Sequence, residues 1–283
     1  MNQLGFPILS LITYLPLLGA FIIATLSGDD AKIACRARAI ALGFSLLVLV
    51  LGIYVWTQFN TGIAGYQFVE AMPWLSGINV EYRMGVDGIS LFLILLTLVL
   101  TPIAILSSNG IKTRARSFFA AMLLLETMTI GMFAATDFVL FYIFFEAVLL
   151  PMYLIIGVWG GERRIYAAVK FFVFTLAGSL FMLLAVVWIW RHLGTTNIAV
   201  MTHAAIPAHA QMWLFLAFLA AFGVKAAVWP LHTWLPDAYG EAPVPGTIML
   251  AAVLSKMGAY GFLRFALPML PNASYAAEPL MFT

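Results

Sequence analysis

Long apolar runs dominate this chain, and their spacing predicts its architecture. A membrane helix needs about 20 consecutive apolar residues. Such runs lie at 4–26, 39–57, 87–107, 118–135, 138–158, 165–190, 211–229 and 245–267. Each is closed by Gly, Pro, Asp or basic residues, so the pattern predicts an all-α, polytopic transmembrane bundle of eight spans. The segment from Asn60 to Arg83 is the longest connection and is too polar and Gly-rich to cross. It is expected to lie along the outer surface with a short hairpin. The first run lacks the basic start and small-residue cleavage site of a signal peptide, so it reads as a retained span.

Composition agrees with this pattern. Of 283 residues, 64% are hydrophobic and 9% charged, against about 25% charged in an ordinary soluble domain. The net charge of +2 is too small to suggest a nucleic-acid partner. Cys35 is the one cysteine, which excludes an intramolecular disulfide. His192, His203, His209 and His232 lack metal-ligand spacing, and no P-loop or Gly-rich dinucleotide motif is present. No redox cofactor or nucleotide site is therefore expected in this chain.

The basic residues orient the bundle. Lys32, Arg36 and Arg38 follow the first span, Lys112, Arg114 and Arg116 the third, and Arg163 and Arg164 the fifth. The even-numbered connections hold only Arg83 and Arg191. The rule that cytoplasmic loops are basic then puts the N-terminus on the non-cytoplasmic side.

A few ionisable residues remain inside the spans, where each costs at least about 2.5–3.5 kcal/mol at mid-bilayer. Glu126 and Glu146 stand ten residues either side of Thr136, the turn between spans four and five. At a rise of about 1.5 Å per residue both carboxylates reach one depth near the midplane. Two acids at one level would repel when both ionised, which suits groups that load and release a proton. Each also reads as a helix-to-helix hydrogen-bonding group. Lys225 lies in AAFGVKAAVWP, where Pro230 removes a helical N–H and crowds the preceding turn. Span seven should break just past Lys225, and broken helices are tolerated in membranes only against protein or a hydrated cavity. His232 follows the break and reads as a proton relay or as a cap. Lys256 stands near the middle of span eight. Lys170, early in span six, reads equally as a lysine reaching water, and Asp87 as the N-cap of span three with Ser90.

Three segments carry a resemblance: MGVDGISLFLILLT, FYIFFEAVLLPMYLIIGVWGGERRIYAAVKFFVFTLAGS and KAAVWPLHTWLPDAYGEAPVPGTIMLAAVLSKMGAYGFLRF. They resemble the proton-pumping antiporter-like subunits of respiratory complex I, most of all the M-type chains, bacterial counterparts of mitochondrial NADH dehydrogenase subunit 4. The resemblance implies that Glu146 pairs with Lys225, that His232 follows the helix break, and that Lys256 lies on a central polar axis. It also implies two inverted five-helix repeats within about fourteen spans. On that plan residues 1–110 hold the three leading helices, 111–270 the first repeat, and 271–283 the start of a further span. The second broken helix has no counterpart here, so the chain is expected to be truncated to the N-terminal half.

The function implied is proton translocation in a membrane subunit of NADH:quinone oxidoreductase in the bacterial inner membrane. FMN, iron–sulfur clusters and quinone are then expected in partner subunits, and the direct partners are neighbouring antiporter-like subunits and lipid. Two alternatives remain open at this point: a subunit of a multi-chain sodium/proton antiporter, and a scaffold whose buried charges only lock helix register.

Overall fold

The computed structural model describes residues 5–27 and 30–278. Its apolar helices are α1 (Ile8–Ala24), α2 (Asp30–Gln58), α3 (Gly88–Leu106), α4 (Ala115–Ala134), α5 (Phe138–Trp159), α6 (Arg164–Leu193) and α7 (Ala208–Ala226). After α8 (Trp234–Glu241) the last of them is α9 (Val244–Met269), followed by the short α10 (Pro271–Ala276). Seven of these, α2–α7 and α9, are long and apolar enough to cross a membrane. With 17 residues, α1 is about 26 Å long, a little under the hydrocarbon thickness. The chain is a multi-pass membrane protein. The expected start of a further span lies partly outside the described residues, of which only the single short turn of α10 and its flank are seen.

Every apolar run appears as a helix, with ends that shift by a few residues. The largest change is α2, which begins at Asp30 and so runs through Lys32, Arg36 and Arg38. Backbone hydrogen bonding continues past polar residues as long as they reach water, so hydropathy underestimates that helix.

The Asn60–Arg83 connection contains an antiparallel hairpin, β1 (Gln67–Leu75) and β2 (Val80–Val86), with Glu70 opposite Met84 and Met72 opposite Tyr82. Asn79 makes the left-handed turn residue between the strands. The hairpin organises one end of the bundle. Glu70 is buried and accepts from Leu9 N (2.6 Å), Ser10 N (3.0 Å) and Ser10 Oγ (2.5 Å). It thereby caps α1, whose own N-cap is Pro7 and offers no side-chain acceptor. On the other side, Thr136 N donates to Arg83 O (2.9 Å), joining the hairpin to the α4–α5 turn. Asp137 then accepts from Val139 N, Leu140 N, Glu81 N and Thr196 Oγ, tying that turn to β2 and to the α6–α7 loop.

Helix α4 is the most enclosed helix and packs on α1, α2, α3 and α5. Farther along, α6 packs on α7, and α7 on the middle of α9. The α7–α9 approach is close enough to require glycine. A Cβ on Gly258 would stand 2.5 Å from Phe222 O, and one on Gly261 would overlap the Phe222 ring.

Candidate functional site

The break in span seven falls where the sequence placed it. Helix α7 stops at Ala226, and Ala227 turns left-handed at φ 56°. Ala227 N donates to Val224 O (3.1 Å) and Val228 N to Gly223 O (2.9 Å), which closes the helix in a Schellman motif. Trp234 Nε1 satisfies the Val224 carbonyl again from α8 (2.8 Å). Left-handed backbone costs a residue with a Cβ about 1–2 kcal/mol, so packing against α8 and α9 holds this break.

Lys225 occupies the last turn of α7 yet is only 3% exposed, so it does not reach out to solvent as a helix-end lysine does. Its Nζ has no hydrogen-bond partner in the protein and sits 4.6 Å from the centre of the Phe145 ring. A ring face favours the charged ammonium by about 0.5–2 kcal/mol. The next residue on α5 is Glu146, whose Oε1 is buried without a partner. Glu146 feels Lys225 electrostatically, and Ser179 of α6 and Tyr142 flank it. No ion pair within 4.0 Å joins the two charges among the described residues, so they are in each other's field without being locked together.

Glu126 lies elsewhere. It is fully buried in α4, neither carboxylate oxygen has a protein partner, and burial alone dominates its surroundings. The expectation that Glu126 and Glu146 act on one another is not met. Residue spacing sets depth, but the direction a side chain faces turns by about 100° per residue. Glu126 is enclosed in its interface, while Glu146 lies in the field of Lys225.

His232 stands in the turn between the break and α8, half-buried, with Nδ1 lacking a partner. Among the described residues, buried side-chain polar atoms without a protein partner fall on seven residues: Thr13, Glu126, Thr127, Thr136, Glu146, Lys225 and His232. Four of these are residues singled out from the sequence. Each such atom costs about 1–3 kcal/mol, and three of the seven residues, Glu146, Lys225 and His232, lie in the α5–α7–α8 region.

Lys256 stands at mid-span in α9 and is exposed on the surface of this chain. Two π-helical segments, Leu250–Leu254 and Phe262–Ala266, flank its turn. The Ala251 carbonyl accepts both Ser255 Oγ and Lys256 Nζ, each at 2.8 Å. The wider π turn leaves that oxygen open to side chains, and π segments recur at functional sites.

Two ion-pair groups escaped the sequence reading. At the end opposite the hairpin, Lys170 Nζ pairs with Asp237 Oδ2 at 2.6 Å, and Arg163 reaches Asp237 (4.0 Å) and Glu241 (3.6 Å). Lys170 is therefore engaged by α8 rather than free in water. At the hairpin end, Arg264 Nη2 pairs with Asp87 Oδ2 at 2.6 Å. Asp87 also makes the predicted cap on Ser90 N (3.0 Å), with Ser90 Oγ returning to Asp87 N (2.9 Å). An arginine inside an apolar run was the available signal for Arg264. Nothing local singled out Asp237. Among the described residues no group of three or more His, Cys, Asp or Glu side chains could hold a metal ion.

Comparison with known proteins adds an independent line. Residues 135–283 match the family model described as NADH:quinone oxidoreductase/Mrp antiporter, TM. Residues 39–133 match NADH-ubiquinone oxidoreductase chain 4, amino terminus. NADH-quinone oxidoreductase subunit M of Rhodobacter capsulatus is 46% identical over 97% of this chain and 56% of its own length. NADH-ubiquinone oxidoreductase chain 4 of Marchantia polymorpha is 41% identical over 97% and 55%. The chain thus spans about half the length of the curated relatives it matches. Respiratory complex I from Thermus thermophilus contains a chain that superposes with a TM-score of 0.84 at 30% identity, over 96% of this chain and 55% of that one. The Mrp complex of Dietzia sp. matches in fold, with a TM-score of 0.78 at 22% identity over 94% and 29%.

Proposed function

This chain belongs to the NADH:quinone oxidoreductase/Mrp antiporter transmembrane family, and from that premise we propose that it translocates protons as an M-type membrane subunit of NADH:quinone oxidoreductase. The observation that carries the reading is Lys225: a buried ammonium without a hydrogen-bond partner, at a helix break, in the field of Glu146. A lysine so placed can be charged or neutral as its surroundings change. His232, between the break and α8, passes protons toward it. While Glu146 stays close, Lys225 keeps its proton; when that carboxylate is drawn away, the proton moves on to Lys256. Glu126 is a further protonatable group in the interior.

On this reading the hairpin end faces the non-cytoplasmic side of a bacterial inner membrane and the Arg163–Glu241 end the cytoplasm. Residues 1–110 form the leading helices, 111–270 the first five-helix repeat, and 271–283 open a further span. The chain carries no redox centre; FMN, iron–sulfur clusters and quinone belong to partner subunits, which with neighbouring antiporter-like subunits and lipid surround it. A sodium/proton antiporter subunit is the second reading, favoured by the family's inclusion of Mrp antiporters. Co-purification with iron–sulfur subunits or with small antiporter subunits separates the two.

The deciding experiment is proton pumping by assembled membranes carrying Lys225→Ala or Glu146→Gln. Both should lose most or all pumping while assembly survives. Wild-type proton-to-electron ratios in both variants would sink the mechanism.

A further inference from the structure

Helix α8, the short helix beyond the break, meets the start of α6 through three of its residues. Trp234, Asp237 and Glu241 stand three and four positions apart and so share one side of that helix. The Trp234 and Phe171 rings are both buried, with centroids 5.3 Å apart. Asp237 Oδ2 pairs with Lys170 Nζ at 2.6 Å, the two side chains being 22% and 21% exposed. Glu241 meets the turn that leads into α6: its Oε2 accepts from Arg163 N (2.9 Å) and its carbonyl from Gly161 N (2.8 Å). The partners run in opposite order along the two segments, so α8 lies antiparallel to the first turns of α6. Its two ends differ. Backbone amides fix the Glu241 end to the α5–α6 turn. At the other end Trp234 Nε1 donates to Val224 O at 2.8 Å, in the last turn of α7 and one residue before Lys225. His232 lies at that end too, and its carbonyl accepts from Leu235 N (2.9 Å).

We propose that Lys170 is a positioning residue for Lys225: by holding Asp237 it fixes α8, so that Trp234 keeps the last turn of α7, and Lys225 with it, in the field of Glu146. The proposal rests on the proton-translocation reading above. Lys225 Nζ has no hydrogen bond of its own, so the backbone that carries it sets its place. That backbone ends at Ala227, in left-handed geometry that a residue with a Cβ resists. Val224 O is held twice there, by Ala227 N (3.1 Å) and by the Trp234 indole, and the indole bond is the one that comes from outside the helix. The Glu241 contacts alone would leave α8 free to pivot about the α5–α6 turn. Asp237 lies only about 4.5 Å along the axis from Trp234, so its pair with Lys170 stops that swing close to the break. Lys170 and Phe171 are consecutive, and one turn of α6 thus holds both Asp237 and Trp234. Arg163 is no substitute, being 71% exposed, 4.0 Å from Asp237 and shared with Glu241 at 3.6 Å. A charge-assisted bond between two largely enclosed groups is the stronger restraint.

The test uses the protein in its native complex, with hydrogen–deuterium exchange read on peptides covering 224–236 and pumping measured on the same preparations. Lys170→Met should speed exchange of the Ala227 and Val228 amides about tenfold, the effect of one lost charge-assisted hydrogen bond on a local opening. Pumping should fall severalfold in the same variant. Asp237→Asn should do the same, and the double variant should be no worse than either single one, because both remove one link. Lys170→Arg keeps the pair but cannot release a proton, and it should retain wild-type exchange and pumping. Unchanged exchange in both Lys170→Met and Asp237→Asn would overturn the proposal, as would normal pumping despite faster exchange. Normal exchange with lost pumping in Lys170→Arg would overturn it in favour of Lys170 as a proton carrier. Exchange does not depend on pumping, so the two readings fail separately: the link by unchanged exchange, proton translocation by normal pumping in Lys225→Ala.

Discussion

Arg264 Nη2 lies 2.6 Å from Asp87 Oδ2, so the last turns of α9 are fastened to the first turn of α3 across 177 residues of chain. The guanidinium also lies over two aromatic rings, 5.3 Å from the centre of Tyr66 and 5.2 Å from that of Tyr260. One carboxylate thus does two things: it caps α3 and anchors the helix that carries Lys256.

The clamp has a pH signature. Burial would push the Asp87 carboxyl up, but the Arg264 guanidinium and the Ser90 amide outweigh it and hold the group below its ordinary value. A lowered folded-state value means stabilisation that is complete above the usual carboxylate range and is lost as pH falls through the lowered value. Asp87→Asn should cost about 1–3 kcal/mol at neutral pH and should flatten the acid limb of the stability curve. Thermal unfolding in detergent between pH 3 and 7 measures both. Parallel curves for variant and wild type would show that the clamp contributes nothing to folding.

The contact of α9 with the α7 break rests on Gly258. An added methyl would meet Phe222 O at 2.5 Å and Ala226 N at 2.6 Å, backbone atoms that cannot swing aside. Gly258→Ala should therefore cost about 1–3 kcal/mol and push α9 away from the turn that ends in Lys225. Pumping should fall more than assembly does. Gly240, whose added methyl would meet nothing within 4 Å, is the control, and Gly240→Ala should be neutral or slightly stabilising. Equal melting temperatures for the two alanine variants would remove the close-packing argument.

Glu126 offers a way to separate transport from scaffolding. Both oxygens are buried without a partner, so Glu126→Leu should stabilise the bundle by about 1–3 kcal/mol. As part of the proton path, the same substitution should lower pumping. A variant that melts higher and pumps normally would remove Glu126 from the mechanism and leave it a buried cost without a transport role.

Much of the fold was legible in the chain. Apolar run length alone located the helices, because a bilayer imposes one length on everything that crosses it. The break beyond Lys225 followed from Pro230, and the α3 cap from Asp87 and Ser90, because both depend on residues within a turn of one another. Residue counting also brought Lys225 and Glu146 into consideration, since charges in apolar runs are rare for energetic reasons.

What tertiary structure alone decided is which way each of those residues faces and what lies opposite. Glu70 caps α1 from a hairpin 60 residues away, and Arg264 finds Asp87 from the far end of the chain. Glu126 is sealed, Glu146 lies in the field of Lys225 without an ion pair, and Lys256 is exposed on the surface of this chain. The physical reason is the same in each case. Hydropathy and helical rise report depth in the membrane, a property of one helix. Azimuth and pairing belong to the packing of several helices, and no single run of residues contains them.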